Sequence, residues 1–107
     1  MTETLLVLCT CPNQGVAQLL ARQLVENRLA ACVNLIKGVT SIYLWEGQVE
    51  ETQEVQMLIK TRNSLFEPLR QFIRQHHPYQ VPEILGLHVC QGDREYLNWL
   101  QESLGCD

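Results

Sequence analysis

Leu5-Leu6-Val7-Leu8-Cys9 is an unbroken apolar run followed by a helical pattern, as expected of a central strand covered on both faces. Cys11-Pro12-Asn13 interrupts it. Asn13 can cap a helix, and Val16, Ala17, Leu20, Leu24 and Val25 recur at helical spacing, predicting a helix over 14–28. From Cys32 to Trp45, β-branched and aromatic residues dominate on either side of Lys37-Gly38, which reads as strand. Glu46-Gly47 is a tight-turn signal, with Gly47 supplying a positive φ. In the returning segment, Val49 to Arg62, Val55, Met57 and Ile59 alternate with Gln56, Leu58 and Lys60, the period of a half-buried strand. Ser64-Leu65-Phe66-Glu67 has the form of a capping box, and Leu65, Leu69, Phe72 and Ile73 predict a helix over 65–76 that Pro78 terminates. Ile84 to Val89 reads as a last core strand. Gly92-Asp93 opens a third helix whose buried stripe is Leu97, Leu100 and Leu104.

The resulting order, β-α-β-β-α-β-α, predicts an α+β fold: a ferredoxin-like split βαβ sandwich, βαββαβ plus a C-terminal helix, with a long central β-hairpin. With 107 residues and neither repeat nor linker, residues 1–107 form a single domain.

That hairpin is too long for the body. Cys32 to Trp45 fully extended spans roughly 45 Å, whereas a compact chain of this length has a radius of gyration near ~13 Å and a diameter of about 35 Å. The strand must bend at Lys37-Gly38, or its tip must project, or both. A bare tip carrying Ile42, Tyr43, Leu44 and Trp45 invites aggregation. Coverage by further copies of the chain is the economical solution. The bland alternative is a monomer in which the third helix folds back over the tip.

Charge narrows the partners. Twelve acids against eight bases give a net charge of −4, without the basic stripe of a nucleic-acid binder. No stretch approaches the ~20 apolar residues of a membrane span, and no basic segment precedes the first apolar run, so no membrane association is expected and the cytoplasm is the expected location. An odd number of cysteines (Cys9, Cys11, Cys32, Cys90, Cys106) fits a compartment that keeps them as thiols. No C-x-x-C occurs.

Cys9 and Cys11 form a C-x-C at the end of the first strand. If the strand continues to Cys11, both side chains face one side of the sheet and offer the thiolate ligands that soft metals such as Cu(I) prefer. The plainer reading makes Cys9 a small apolar core residue and leaves Cys11 in a turn beside Pro12. His76 and His77 end the second helix, where imidazoles also complement the helix dipole. Adjacent helical side chains diverge by about 100°, so one ion takes both only if the helix has unwound before Pro78. The stiff loop Pro78-Tyr79-Gln80-Val81-Pro82 leads to Glu83 and can hold imidazole and carboxylate near each other. Cys9 and this loop can converge within the domain or across a subunit boundary. Imidazole suits copper, zinc and nickel. Catalysis has little support: there is no nucleophile elbow, and Gly15 stands alone where a phosphate loop would need several glycines. Lys60 and Arg62 share a strand face and offer an anion contact or simply a solvated surface.

From Leu5 to Leu104 the chain resembles the CutA divalent-cation tolerance family. The resemblance lies in Val7-Leu8-Cys9-Thr10, Leu29-Ala30-Ala31-Cys32-Val33-Asn34, Ser41-Ile42-Tyr43-Leu44-Trp45-Glu46-Gly47, Glu54-Val55-Gln56-Met57-Leu58-Ile59-Lys60-Thr61, His77-Pro78-Tyr79-Gln80-Val81-Pro82-Glu83-Ile84 and Tyr96-Leu97-Asn98-Trp99-Leu100. It implies a homotrimer of ferredoxin-like subunits with hairpins pairing between them. It further implies copper or other divalent cations as ligand, Cys9, His76 and His77 as metal residues, with Glu83 a further candidate, and no enzymatic activity. Many members have Glu where this chain has Gln80. The resemblance suggests a bacterial form, and Cys32 is read as core. Two competing readings follow from fold analogy alone. One is a signalling module similar to the PII regulators, binding a small anionic metabolite in inter-subunit clefts near Lys37, Lys60 and Arg62. The other is an RNA-recognition module, disfavoured by the acidity and the lack of aromatic-rich strands.

Overall fold

The computed structural model describes residues 3–105; Cys106 lies outside them. The elements are β1 (Thr4–Cys11), α1 (Gln14–Glu26), β2 (Cys32–Trp45), β3 (Gln48–Arg62), α2 (Phe66–His76), β4 (Leu85–His88) and α3 (Arg94–Leu104). They form one four-stranded antiparallel sheet of order β2-β3-β1-β4, the split βαβ arrangement that the element order predicts.

Strand alternation builds the core. Val7 pairs with Ile59, and Cys9 with Met57. Leu5, Val7, Cys9 and Cys11 thus share a face with Val55, Met57 and Ile59. Ala17, Leu20 and Leu24 of α1 and Leu69 and Ile73 of α2 close over that face. The Asn13 side chain accepts the Val16 N–H at 2.9 Å and starts α1 as its sequence suggests. The helix stops at Glu26 rather than at 28, because Arg28 turns to φ 55° and the N–H groups of Leu29 and Ala30 both return to the Leu24 carbonyl.

Three local expectations are corrected. The capping box does not form: α2 is entered through a 3-10 turn, Asn63–Leu65, with no side-chain cap at Leu65. Asn63 is still tied to the residue preceding β1 through its N–H to the Glu3 carbonyl at 2.7 Å, which leaves too few residues for an extended cap. The last strand is a short exposed edge, not a core strand. Leu85 and Leu87 pair with Leu8 and Leu6 and so stand on the face away from α1 and α2, while Gly86 brings no side chain to the core. Cys32 is also outside the core. It pairs with Lys60 on that same far face, and Lys60 Nζ approaches its sulfur.

The hairpin both bends and projects. Its register shifts between Ile36 and Val39, where Gly38 takes φ 72°. At the tip Trp45 pairs with Gln48 around Glu46 (φ 50°) and Gly47 (φ 78°), two left-handed residues as a type I′ turn demands. Ile42, Leu44 and Val49 are 65%, 70% and 70% exposed. The molecule measures 44 × 26 × 21 Å. α3 does not cover the tip. Arg62 donates to the Gln101 side chain at 3.1 Å and Arg28 to the Ser103 carbonyl, which ties α3 to the opposite end of the sheet. No helix among the described residues is long and apolar enough to cross a membrane.

Candidate metal centre

β1 runs on through Cys11, which pairs with Val55, so Pro12 begins the turn one residue later than the reading of Cys11 as a turn residue requires. Proline lacks only its own N–H, so the ladder survives up to its neighbour. Cys9 and Cys11 therefore project from the same face, and both are fully buried beneath the helices. Met57, the register partner of Cys9, brings its thioether sulfur to 3.4 Å from Cys11 Sγ.

His77 arrives from the other side. It is the first residue past α2, with φ −81° and ψ 138°, the extended geometry imposed on a residue before proline. Its N–H still closes the helix on the Ile73 carbonyl, while its side chain swings in over the end of β1. Nδ1 accepts the Tyr79 N–H at 3.0 Å, which assigns the ring proton to Nε2. Nε2 donates to the Thr10 carbonyl at 2.7 Å and lies 3.8 Å from Cys11 Sγ. The donor atoms of Cys9, Cys11 and His77 all lie within 4.8 Å of one another.

The two thiols act as a unit. Cys9 is pushed far above the ordinary thiol range, first by its hydrogen bond to Cys11, then by burial, then by negative charge at Cys11, Glu83 and Glu54. Cys11 is lowered by that same hydrogen bond, against the opposing effect of burial. A cation bound at the two sulfurs requires thiolates and takes the place of their protons. Two sulfurs and an imidazole, with no carboxylate among them, suit soft and borderline cations such as copper and zinc, and suit magnesium or calcium poorly.

His76 and Glu83 lie elsewhere. His76 is exposed; its ring stacks on Phe72 with centroids 4.0 Å apart, and its Nδ1 sits 2.8 Å from the Phe72 carbonyl. Leaving the helix at residue 77 separates the two imidazoles completely. Glu83 is held by Gln56 Nε2 at 3.3 Å, on the sheet face opposite the thiols. On that side lies a cavity of about 740 Å³, bordered by Tyr43, Trp45, Glu54, Tyr79, Gln80 and Glu83 among others. There Tyr79 Oη donates to Glu54 Oε2 at 2.7 Å, and burial followed by that bond raises the phenol above its ordinary range. Lys60 meets Asn34 and Arg62 meets Gln101, so neither cation borders the cavity. Met57, Glu54 and Tyr79 escape sequence reasoning as site residues. Alternation shows Met57 on the Cys9 face, but only the strand register sets the two beside each other.

Residues 5–103 match the family model described as CutA1 divalent ion tolerance protein. A divalent-cation tolerance protein CutA from Thermus thermophilus is 50% identical over 99 residues, covering 92% of this chain and 96% of the relative. The solved divalent cation tolerance protein (Cut A1) of the same organism superimposes with a TM-score of 0.92 at 49% identity, over 95% of this chain and 99% of that one. A CutA of Archaeoglobus fulgidus, described as periplasmic, superimposes with a TM-score of 0.92 at 33% identity, over 94% of this chain and 98% of its own.

Proposed function

The chain belongs to the CutA1 divalent ion tolerance family, and from that premise we propose that it is a homotrimeric protein of metal tolerance that binds copper at the thiol pair of β1. The observation that carries the reading is the meeting of Cys9, Cys11 and His77 donor atoms within 4.8 Å. Trimer formation is supported by the exposed hairpin tip and by Leu85 and Leu87, apolar residues that the subunit itself leaves uncovered. Binding without chemistry is supported by the burial of both thiols, which leaves no room for a substrate to approach a sulfur nucleophile. The same free thiols support the cytoplasm as the location, and cell fractionation separates that from the periplasm named for the Archaeoglobus relative.

An anionic metabolite gains no support from the cavity, whose charged lining residues are Glu54 and Glu83. His76 and Glu83 stand apart from the thiols and from each other, His76 exposed on the end of α2 and Glu83 half-buried at the cavity. Titration of the reduced protein with copper tests the reading. Cys9→Ala is expected to lose the bound ion, whereas His76→Ala and Glu83→Gln retain it. Unchanged affinity and stoichiometry in Cys9→Ala would remove the site.

A further inference from the structure

Three sulfurs, not two, converge beneath the helices. Cys11 Sγ lies 3.4 Å from Met57 Sδ. Cys9 is the direct cross-strand partner of Met57, a relation that places Cβ atoms about 5 Å apart on one face. Cys9 Sγ and Cys11 Sγ lie within 4.8 Å of each other. All three residues are fully buried. The imidazole, by contrast, is already committed: its Nε2–H donates to the Thr10 carbonyl and its Nδ1 accepts the Tyr79 N–H. For His77 to ligate through Nε2, it must lose that proton and abandon the carbonyl that joins Cys9-Thr10-Cys11 to the loop.

We propose that this chain binds a monovalent thiophilic cation, of the copper(I) and silver(I) class, through Cys9 Sγ, Cys11 Sγ and Met57 Sδ, with His77 as a positioning residue that holds the Thr10 carbonyl. The assignment rests on the cluster being a cation site and specifies the ion and donors. Thioether sulfur is a neutral soft donor that selects Cu(I), whereas zinc and copper(II) favour imidazole or oxygen in its place. A closed d10 shell accepts two or three sulfurs without water, and this pocket is sealed from solvent. The surrounding structure supplies no carboxylate: Glu83 is held on the opposite face by Gln56 and Glu54 by Tyr79, and the Thr10 carbonyl oxygen beside the thiols already accepts the His77 Nε2–H. Thr10 sits between the two thiols with its carbonyl pinned from outside, so the i, i+2 spacing of the sulfurs is fixed before an ion arrives.

Silver(I), and copper(I) handled without oxygen, are the probes, with zinc(II) and copper(II) as comparison ions. One silver per subunit is expected, with X-ray absorption showing sulfur scatterers and no imidazole. Cys11→Ala is expected to weaken silver binding by roughly 100-fold. Met57→Leu, close in volume, is expected to weaken it by about tenfold. His77→Gln, whose amide can still donate to Thr10, is expected to keep the sulfur-only spectrum. Thermal melts of each variant without metal establish that it is folded, and Met57→Leu carries the test if Cys11→Ala is not. Copper(II) bound at Cys9 with imidazole in the spectrum, and silver binding indifferent to Met57 and Cys11, overturns this assignment and leaves the proposed function standing. Absence of binding by all four ions overturns both.

Discussion

Glu54 is 8% exposed, and a carboxylate that deeply placed needs a donor. Tyr79 provides it at 2.7 Å, joining the stiff loop after α2 to β3 beside the cavity. The phenol's raised pKa makes this contact pH-sensitive, with a definite sign. A group whose folded pKa is raised contributes its full stability below the unfolded value, about 10 for tyrosine, and loses it as pH rises toward the folded value. Tyr79→Phe is expected to cost about 1–3 kcal/mol at neutral pH, because it strands a carboxylate. It should also flatten the alkaline fall in melting temperature above about pH 10. Parallel alkaline profiles for the two proteins exclude this bond as their cause. The residues of the metal centre were legible to different depths. Cys9 follows from the apolar run that ends on it. The departure of His77 from the helix is written in Pro78. Cys11 was obscured because an adjacent proline signals a turn, although it leaves the preceding residue free to finish the strand. Met57 was legible as core but not as a neighbour of Cys11, since the contact between them depends on which residue of β3 faces which of β1, and periodicity carries no register.

Elements were more legible than their ends. Periodicity located β1, the hairpin strands and all three helices, and the hairpin's excess length pointed to the bulge that Gly38 makes. It failed at the entry to α2 and at β4, where tertiary ties decide: Asn63 stays bonded to Glu3, and β4 gains only one sheet neighbour. The start of α1 matters most for the site, because only Pro12 and Asn13 separate Cys11 from it. Asn13 holds that junction by accepting the Val16 N–H. Asn13→Ala is expected to lower stability by about 1 kcal/mol, read as a shift in the urea midpoint with unchanged slope. A change in slope would show that the junction orders more of the molecule than one helical turn.

At the scale of the whole molecule, the subunit covers one face of the sheet fully and leaves apolar residues of the other uncovered. α1 and α2 close over the thiol side, while Leu85, Leu87 and the hairpin tip stay open, and α3 is tied to the far end by Arg62 and Arg28. If further copies of the chain cover the tip, reduced protein sediments at three times the subunit mass. Ile42→Asp combined with Leu44→Asp then releases subunits. These positions are 65% and 70% exposed in the single chain, and substitutions at such surface sites usually shift stability by only about 0.5 kcal/mol. A large fall in melting temperature for the double variant therefore measures assembly and not damage to the subunit core. That fall should shrink as the wild-type protein is diluted, since oligomer stability depends on protomer concentration. A wild-type protein that sediments as a single subunit at micromolar concentration, or a double variant that assembles undisturbed, removes the tip from any interface. The open apolar residues would then require a different kind of partner.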